Sequence, residues 1–325
     1  MKALVCRQYG APELLRVEDV PTPTPGAGEA LIEVEAAGVS FVDTLIINNQ
    51  HQVKHELPFS PGREVAGRVK ATGSGTSEFK VGERVAAILD KGGHAQFALA
   101  PAAETFSCPA DCDMTAAGGH MSVYLTAWLA LQERAALAPE QKVLVLGAGG
   151  GTGLAAVDIA SQLGAEVIAA ASTSAKLALA KARGAVHLIN YTEVALDEAT
   201  KKILPNGVDL VFDPVGGDLF EPASRCVGWN GSYLIIGFAG GGAPPQFAAN
   251  RLLVKNRAAL GFVLMYYRRV RPDLLQNAAT HILNGFSNGT LHPDTSSTGS
   301  LAQAPQMLRA IIDRTMVGKG VVLPS

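Results

Sequence analysis

KVLVLGAGGGTGLAAVDIASQLGAEVIAAAS, residues 142–172, reads as strand, glycine turn, helix and second strand in one run. The apolar residues 143–146 lead into glycines at 147, 149, 150, 151 and 153, and small apolar residues continue to Leu163 before Gly164 stops the helix. A turn without side chains lets backbone come close to a phosphate, and the unpaired amides and positive dipole end of the next helix hold negative charge. The strict G-x-G-x-x-G string is not present; the nearest match runs Ala148, Gly150, Gly153, with alanine in the first glycine position. A tight loop between core elements would also use such glycines. The two flanking strands in the right order favour a dinucleotide seat, with Ala148, Gly150, Gly151, Thr152 and Gly153 as its residues.

The second strand, 166–171, bears on which dinucleotide. An acid at its end, about 20 residues past the glycines, accepts the ribose 2'-hydroxyl of NAD. Here the strand ends in Ala171, Ser172, Thr173 and Ser174, with Lys176 just beyond. No carboxylate repels a 2'-phosphate, while hydroxyls and an ammonium are at hand. NADPH is therefore expected, with Ser172 and Lys176 as phosphate contacts; the bland alternative is that the serines cap a helix over 175–183 and Lys176 is solvated.

At 325 residues the chain accommodates two domains of ordinary size. Charged residues make up 17% and the apolar set 48%, with a net charge of −2 and no basic block, so a nucleic-acid partner is not expected. No uncharged apolar run reaches the roughly 18 residues of a membrane helix, and a cytoplasmic protein without a membrane partner is expected. Cys6, Cys108, Cys112 and Cys226 are too few and scattered for a disulfide framework and read as structural thiols.

The first 120 or so residues carry short β patterns at 2–7, 14–20, 29–36, 64–71, 84–89 and 94–100, a partly closed β unit. Apolar strands then recur at 143–146, 166–171, 186–189, 208–213, 233–238 and 258–264, with helices such as 175–183 and 219–227 between them. That alternation predicts an α/β fold, a doubly wound parallel sheet covered on both faces. Helices near 272–285 and 301–314 and a strand at 320–323 are expected to return to the β unit. The expected domains are 1–121 with 265–325, and 122–264.

The segments GVSFVDTLI (38–46), LPFSPGREVAGRV (57–69), FKVGERVAA (79–87), YLTAWLAL (124–131), the glycine turn, HLINY (187–191), DPVGGDLF (213–220), IIGFAGG (235–241) and VGKGVVL (317–323) occur in register along nearly the whole chain. Together they resemble the zinc-independent quinone oxidoreductase branch of the medium-chain dehydrogenase/reductase superfamily. The resemblance implies a GroES-like β-rich catalytic domain, a Rossmann cofactor domain and a cleft between them. It also implies NADPH-dependent reduction of quinones or other α,β-unsaturated carbonyls, commonly by homodimers.

Zinc-using relatives place ligands where this chain has Ser40, Arg63 and Ser122, none of which suits zinc. The four-cysteine lobe expected near 90–115 is reduced to Cys108 and Cys112. No metal is expected, and His51, His55 and His94 read as solvated. A conjugated acceptor then suits the site, because hydride addition yields a delocalised anion that a few hydrogen bonds support. Alignment of the reactants could contribute about 7–11 kcal/mol at most. Ser40, Asp43, Arg63 and Tyr124 are the catalytic candidates: Tyr124 as donor to the substrate oxygen, Arg63 as a stabiliser of negative charge. Equally, Tyr124 could only shape a cleft, Arg63 could pair with Glu64 or another acid, and Asp43 could cap a helix.

For the cofactor, the resemblance implies contacts from Thr126, Tyr191, Val215 and Gly216, and from Gly237, Phe238 and Ala239 near the nicotinamide. Phe262, Val263, Leu264 and Lys319 would complete that end. Residues 47–56, INNQHQVKHE, depart from relatives, which often carry glycine and tyrosine where this chain has Asn49 and His51; His120 and Met121 also replace the usual residues. The runner-up readings are an enoyl-thioester reductase and a protein that binds NADPH without turnover.

Overall fold

Strand Lys142–Leu146 lies inside a six-stranded sheet ordered His187–Asn190, Glu166–Ala171, Lys142–Leu146, Val208–Asp213, Val227–Ile235, Ala258–Gly261. Every neighbouring pair runs parallel. In order of sequence this is 3-2-1-4-5-6, the doubly wound Rossmann arrangement, whose direction reverses between Lys142–Leu146 and Val208–Asp213. The computed structural model describes residues 1–295 and 297–324. The chain divides into two compact units, Val123–Arg271 around this sheet, and Met1–Ser122 with Pro272–Ser325.

Continuous apolar strands are what a sheet buried on both faces requires. Leu144, Leu146, Ile168, Ala170, Val211 and Tyr233 form one face's core with Phe220, Ala223 and Val227 from the covering helix and its exit. The last two strands differ from the pattern-based expectation. Val227–Ile235 begins early because the Arg257 guanidinium takes up the carbonyls of Ser224, Val227 and Gly228, which ends the preceding helix Phe220–Cys226. Ala258–Gly261 ends early: Val263 starts the helix Leu264–Arg269, and Phe262 turns to stack on Tyr267, centroids 5.4 Å apart.

The other unit is built on a seven-stranded sheet in which Thr298–Gly299, Val321–Val322, Glu29–Gly38, Glu64–Thr72, Arg84–Ile88 and Thr105–Ser107 follow one another, with Phe97–Pro101 also on Glu29–Gly38. Lys2–Val5 and Arg16–Asp19 form a separate antiparallel pair. Val321 and Val322 pair with Gly38 and Ala37, so the chain's end does return to its first strands. Alternate inward residues Ile32, Val34, Val65, Val69, Val85 and Ala98 make the core.

Two helices here escaped the pattern. Phe41–Ile47 is short, and Met114–Trp128 carries Gly118 and Gly119 mid-length, where glycine weakens a helix by about 1 kcal/mol. Contact is the reason for both glycines. A Cβ on Gly118 would lie 2.3 Å from the Ala36 carbonyl oxygen, and one on Gly119 2.4 Å from Val321 Cγ2. The N-terminus of the helix is capped by Asp113, whose Oδ1 accepts the Thr115 amide at 2.8 Å.

A buried ion pair ties this unit together. Lys319 Nζ lies 2.6 Å from Glu64 Oε1, with side chains 4% and 2% exposed. Lys319 also donates to the Val39 carbonyl, and Glu64 Oε2 accepts the Ser122 amide at 2.7 Å. Gly38 makes room, since its Cβ would fall 2.1 Å from Glu64 Oε1. Removing one partner strands a buried charge, at a cost of about 3–5 kcal/mol. Lys319→Met should therefore lower the denaturant midpoint sharply, and adding Glu64→Gln should recover part of the loss. Equal stability of Lys319→Met and wild type in urea melts would contradict this account.

Candidate functional site

The carboxyl ends of the parallel strands gather most of the sequence-derived cofactor residues of the Val123–Arg271 unit into one patch. Gly147, at φ +59, turns the chain out of the first strand, and Gly150 precedes the helix Gly151–Gln162. The first-turn amides of that helix, from Gly151, Thr152 and Gly153, have no intrahelical partner by construction. Gly153 permits close packing, because a Cβ there would lie 2.2 Å from the Gly147 carbonyl oxygen. Gly149 serves another neighbour: its Cβ would lie 2.2 Å from Lys176 Cβ. The lysine stem thus crosses the glycine turn.

Lys176 sits in the first turn of helix Ser174–Ala182, capped by Thr173 rather than by Ser172 or Ser174. Ser172 is left for the lysine, whose Nζ lies 3.4 Å from Ser172 Oγ. An ammonium at the positive end of a helix opposes the dipole, an arrangement that an anion between them would relieve. Tyr191 borders the same corner: its amide donates to Ala171 O, and Thr192 Oγ1 to Ser172 O.

On the other side of the switch point, Asp213 organises the turn DPVGG. Its Oδ1 accepts the amides of Val215 and Gly216 at 2.7 and 2.8 Å, and its Oδ2 accepts the Tyr233 hydroxyl at 2.6 Å. Burial holds the Asp213 carboxyl above its ordinary value, an effect the Tyr233 and backbone donors oppose. The phenol of Tyr233 is pushed up in turn, by burial first and then by the Asp213 charge. Val215 leans on the glycine turn, since a Cβ on Gly147 would lie 2.9 Å from Val215 Cγ2. The amides of Ala239 and Gly240 donate to Pro214 and Val215, and Phe238 closes over Gly216, φ +61. Phe262 joins through its amide on Ile235. Phe238 and Val263 remain exposed, and Gly237, Leu264 and Thr126 are half-buried.

Tyr124 is elsewhere. It is 2% exposed, and its hydroxyl donates to the buried Asp158 at 2.7 Å, which directs the phenol into the interior. Lys319, expected beside the nicotinamide, is held by Glu64 as described. His94, expected in solvent, is fully buried with Nε2 3.0 Å from the Gly38 carbonyl oxygen. His51 and His55 are half-buried rather than solvated.

In the other unit Ser40 and Asp43 form the capping box of helix Phe41–Ile47. Asp43 Oδ2 accepts from the Ser40 amide and hydroxyl, both at 2.8 Å, while Oδ1 accepts the Gly62 amide at 3.1 Å. Asp43 is fully buried, so its work is to hold the Ser40 turn against the turn before Arg63. Arg63, 20% exposed, lies 3.9 Å from Asp90 rather than against Glu64. Hydroxyls and a guanidinium at 40, 63 and 122 do not form a zinc set, and among the described residues no group of three or more His, Cys, Asp or Glu is placed to hold a metal ion.

Sequence reasoning passed over Asp213, Tyr233 and the Glu64–Lys319 pair. The Asp-Pro-Val-Gly-Gly string carried a usable signal, since an aspartate that accepts the amides two and three residues on is ordinary turn chemistry. Asp213→Ala should unfix this turn. The expected result is at least a tenfold loss of nucleotide affinity and a loss of stability of about 1–3 kcal/mol, with a smaller effect from Tyr233→Phe. Calorimetric titration and thermal melts of both variants check it.

Residues 26–137 match the family described as alcohol dehydrogenase GroES-like domain, and 151–280 that described as zinc-binding dehydrogenase. A quinone oxidoreductase-like protein 2 homolog of Nematostella vectensis is 34% identical over 99% of this chain and 88% of its own. A mycobacterial protein solved as a complex with NADPH superimposes with a TM-score of 0.92 at 30% identity, over 100% of both chains. Escherichia coli quinone oxidoreductase, also solved with NADPH, gives 0.91 at 26% identity over 100% of both chains. With such likeness along its whole length, the chain belongs to the quinone oxidoreductase branch of the medium-chain dehydrogenase/reductase superfamily.

Proposed function

We propose that this oxidoreductase uses NADPH to reduce a quinone or another α,β-unsaturated carbonyl, without zinc. The observation that carries the reading is Lys176 lying across the glycine turn with its ammonium beside Ser172 and no acid at the end of strand Glu166–Ala171. Those groups fit a 2'-phosphate. The amides of Gly151, Thr152 and Gly153 fit the pyrophosphate, Tyr191, Val215 and Gly216 the adenosine, and Gly237, Phe238, Ala239 and Phe262 the nicotinamide end.

Bound NADPH would supply the hydride from nicotinamide C4. Arg63 remains charged at any working pH and would stabilise the negative charge left on the acceptor oxygen. Ser40, whose hydroxyl proton is taken by Asp43, would with that carboxylate hold the turn before Arg63 in place. Tyr124 and Lys319 have no direct part. A conjugated acceptor suits this donor set, because its product charge is spread over several atoms and needs no Lewis acid.

The relatives' NADPH complexes support the same cofactor here. Lys176→Ala should lower the NADPH-to-NADH ratio of kcat/KM by about tenfold or more, as expected for a lost charge-assisted contact of about 1.5–3 kcal/mol. An unchanged ratio in steady-state assays removes Lys176 from the reading.

A cytoplasmic homodimer is part of the proposal. Strand Ala258–Gly261 is an uncovered sheet edge, mostly exposed, with Trp229, Leu253, Val254 and Val263 exposed on neighbouring segments. Ala259→Lys should turn the dimer into a monomer by light scattering, and a monomeric wild type would refute the pairing.

A further inference from the structure

Arg63 has basic company. Segment 48–56 carries His51, Lys54 and His55, and the turn after strand Arg84–Ile88 carries Asp90 and Lys91. These groups act on one another: His51 feels Arg63, Asp90 and Lys54, and His55 feels Lys91, Asp90, His51 and Arg63. Arg63 lies 3.9 Å from Asp90, and the adjoining segments add Lys54, Lys91 and Glu56, so three permanent cations are set against two carboxylates in a chain whose net charge is −2.

The segment is pinned in place. Tyr9 donates its hydroxyl to the His55 carbonyl, the His55 ring lies 5.5 Å from that of Phe59, and Lys54 donates to the Asn49 carbonyl. Asn49 adopts φ +55, the left-handed region that asparagine tolerates. Asp43 binds the Gly62 amide, so the cluster adjoins the Ser40 turn as well as Arg63.

We infer that this cluster receives an anionic group carried by the acceptor, a carboxylate or a phosphate, so that the preferred quinone or enone is negatively charged. The inference rests on the acceptor-side role given to Arg63 above. Like charges gathered on a pinned segment repel one another, and an arriving anion relieves that repulsion.

Both imidazoles are held below the usual histidine value. Burial is the main cause for each, followed by the Arg63 charge for His51 and the Lys91 charge for His55. They are neutral at pH 7, and a bound anion favours their protonation. By linkage, affinity for an anionic acceptor then rises as pH falls.

A matched pair of acceptors tests this: a benzoquinone with a propionate side chain and its methyl ester, with crotonyl-CoA as the phosphate-bearing arm. Binding to the full-length protein is measured by calorimetry and turnover by NADPH oxidation. The propionate is expected to bind at least fivefold more tightly than the ester at low salt. Its KM should fall as pH is lowered from 7 to 5.5, with the ester's KM flat. Lys54→Gln with Lys91→Gln should reduce the propionate-to-ester ratio about fivefold, within the reach of two exposed charge contacts; Lys80→Gln, outside the cluster, should leave the ratio alone. A stronger response of crotonyl-CoA than of the propionate to the double substitution assigns the group as phosphate. Equal binding of propionate and ester, or a ratio indifferent to Lys54 and Lys91, overturns the inference even if the ester is reduced. Absence of NADPH oxidation with every acceptor overturns the proposed reaction instead, and the calorimetric comparison still decides the anion question.

Discussion

Close approach of backbone to backbone, at the carboxyl ends of the two strands where the strand order of the parallel sheet reverses, is the constraint on which the nucleotide unit depends. Gly153 brings a helix onto the Gly147 carbonyl, and Gly149 lets Lys176 lie flat across the turn. Gly147 in turn leaves room for Val215. Two of these glycines answer to neighbours distant in sequence, so the turn joins the segments of Lys176 and Val215. The result is a turn of backbone amides with one ammonium beside it, the kind of surface that suits phosphates.

Aspartate 213 does for the second turn what the glycines do for the first. One oxygen gathers two successive amides, and the other is occupied by Tyr233, which belongs to the next strand. The carboxylate therefore couples the shape of DPVGG to the packing of the sheet. Its burial is tolerable because the oxygens are supplied with donors.

In the Met1–Ser122 and Pro272–Ser325 unit, polar groups under the surface set the positions of those at it. The capping box of Ser40 and Asp43 extends to Gly62, and Glu64 is clamped by Lys319 and the Ser122 amide. Positions 40, 63 and 122 are thus located by buried carboxylates on their neighbours. Lys54 and Lys91 add positive charge on the segments beside Arg63.

The parallel sheet was legible because its signal is local: short apolar strands alternate with helices, and glycine marks the turn at 147–153. Strand limits at 233–238 and 258–264 were misjudged because Arg257 capping and Phe262 stacking come from residues far away in sequence or beyond the apolar run. Helix Met114–Trp128 was hidden by Gly118 and Gly119, which are explained only by the Ala36 carbonyl and Val321 lying against them. Ser172 and Lys176 stand out in the sequence through the missing acid and the spacing, and folding sets them 3.4 Å apart. Tyr124, Lys319 and His94 could not be judged from their motifs, because a hydroxyl, an ammonium or an imidazole is equally at home in a site or in a buried bond. The sequence by itself determined the alternation of elements, the glycine turn and the lack of a zinc donor set, since these depend on residue type and near neighbours. Only the tertiary structure decided which polar side chains are taken up inside, as Asp158, Glu64 and Gly38 are brought to their partners by folding alone.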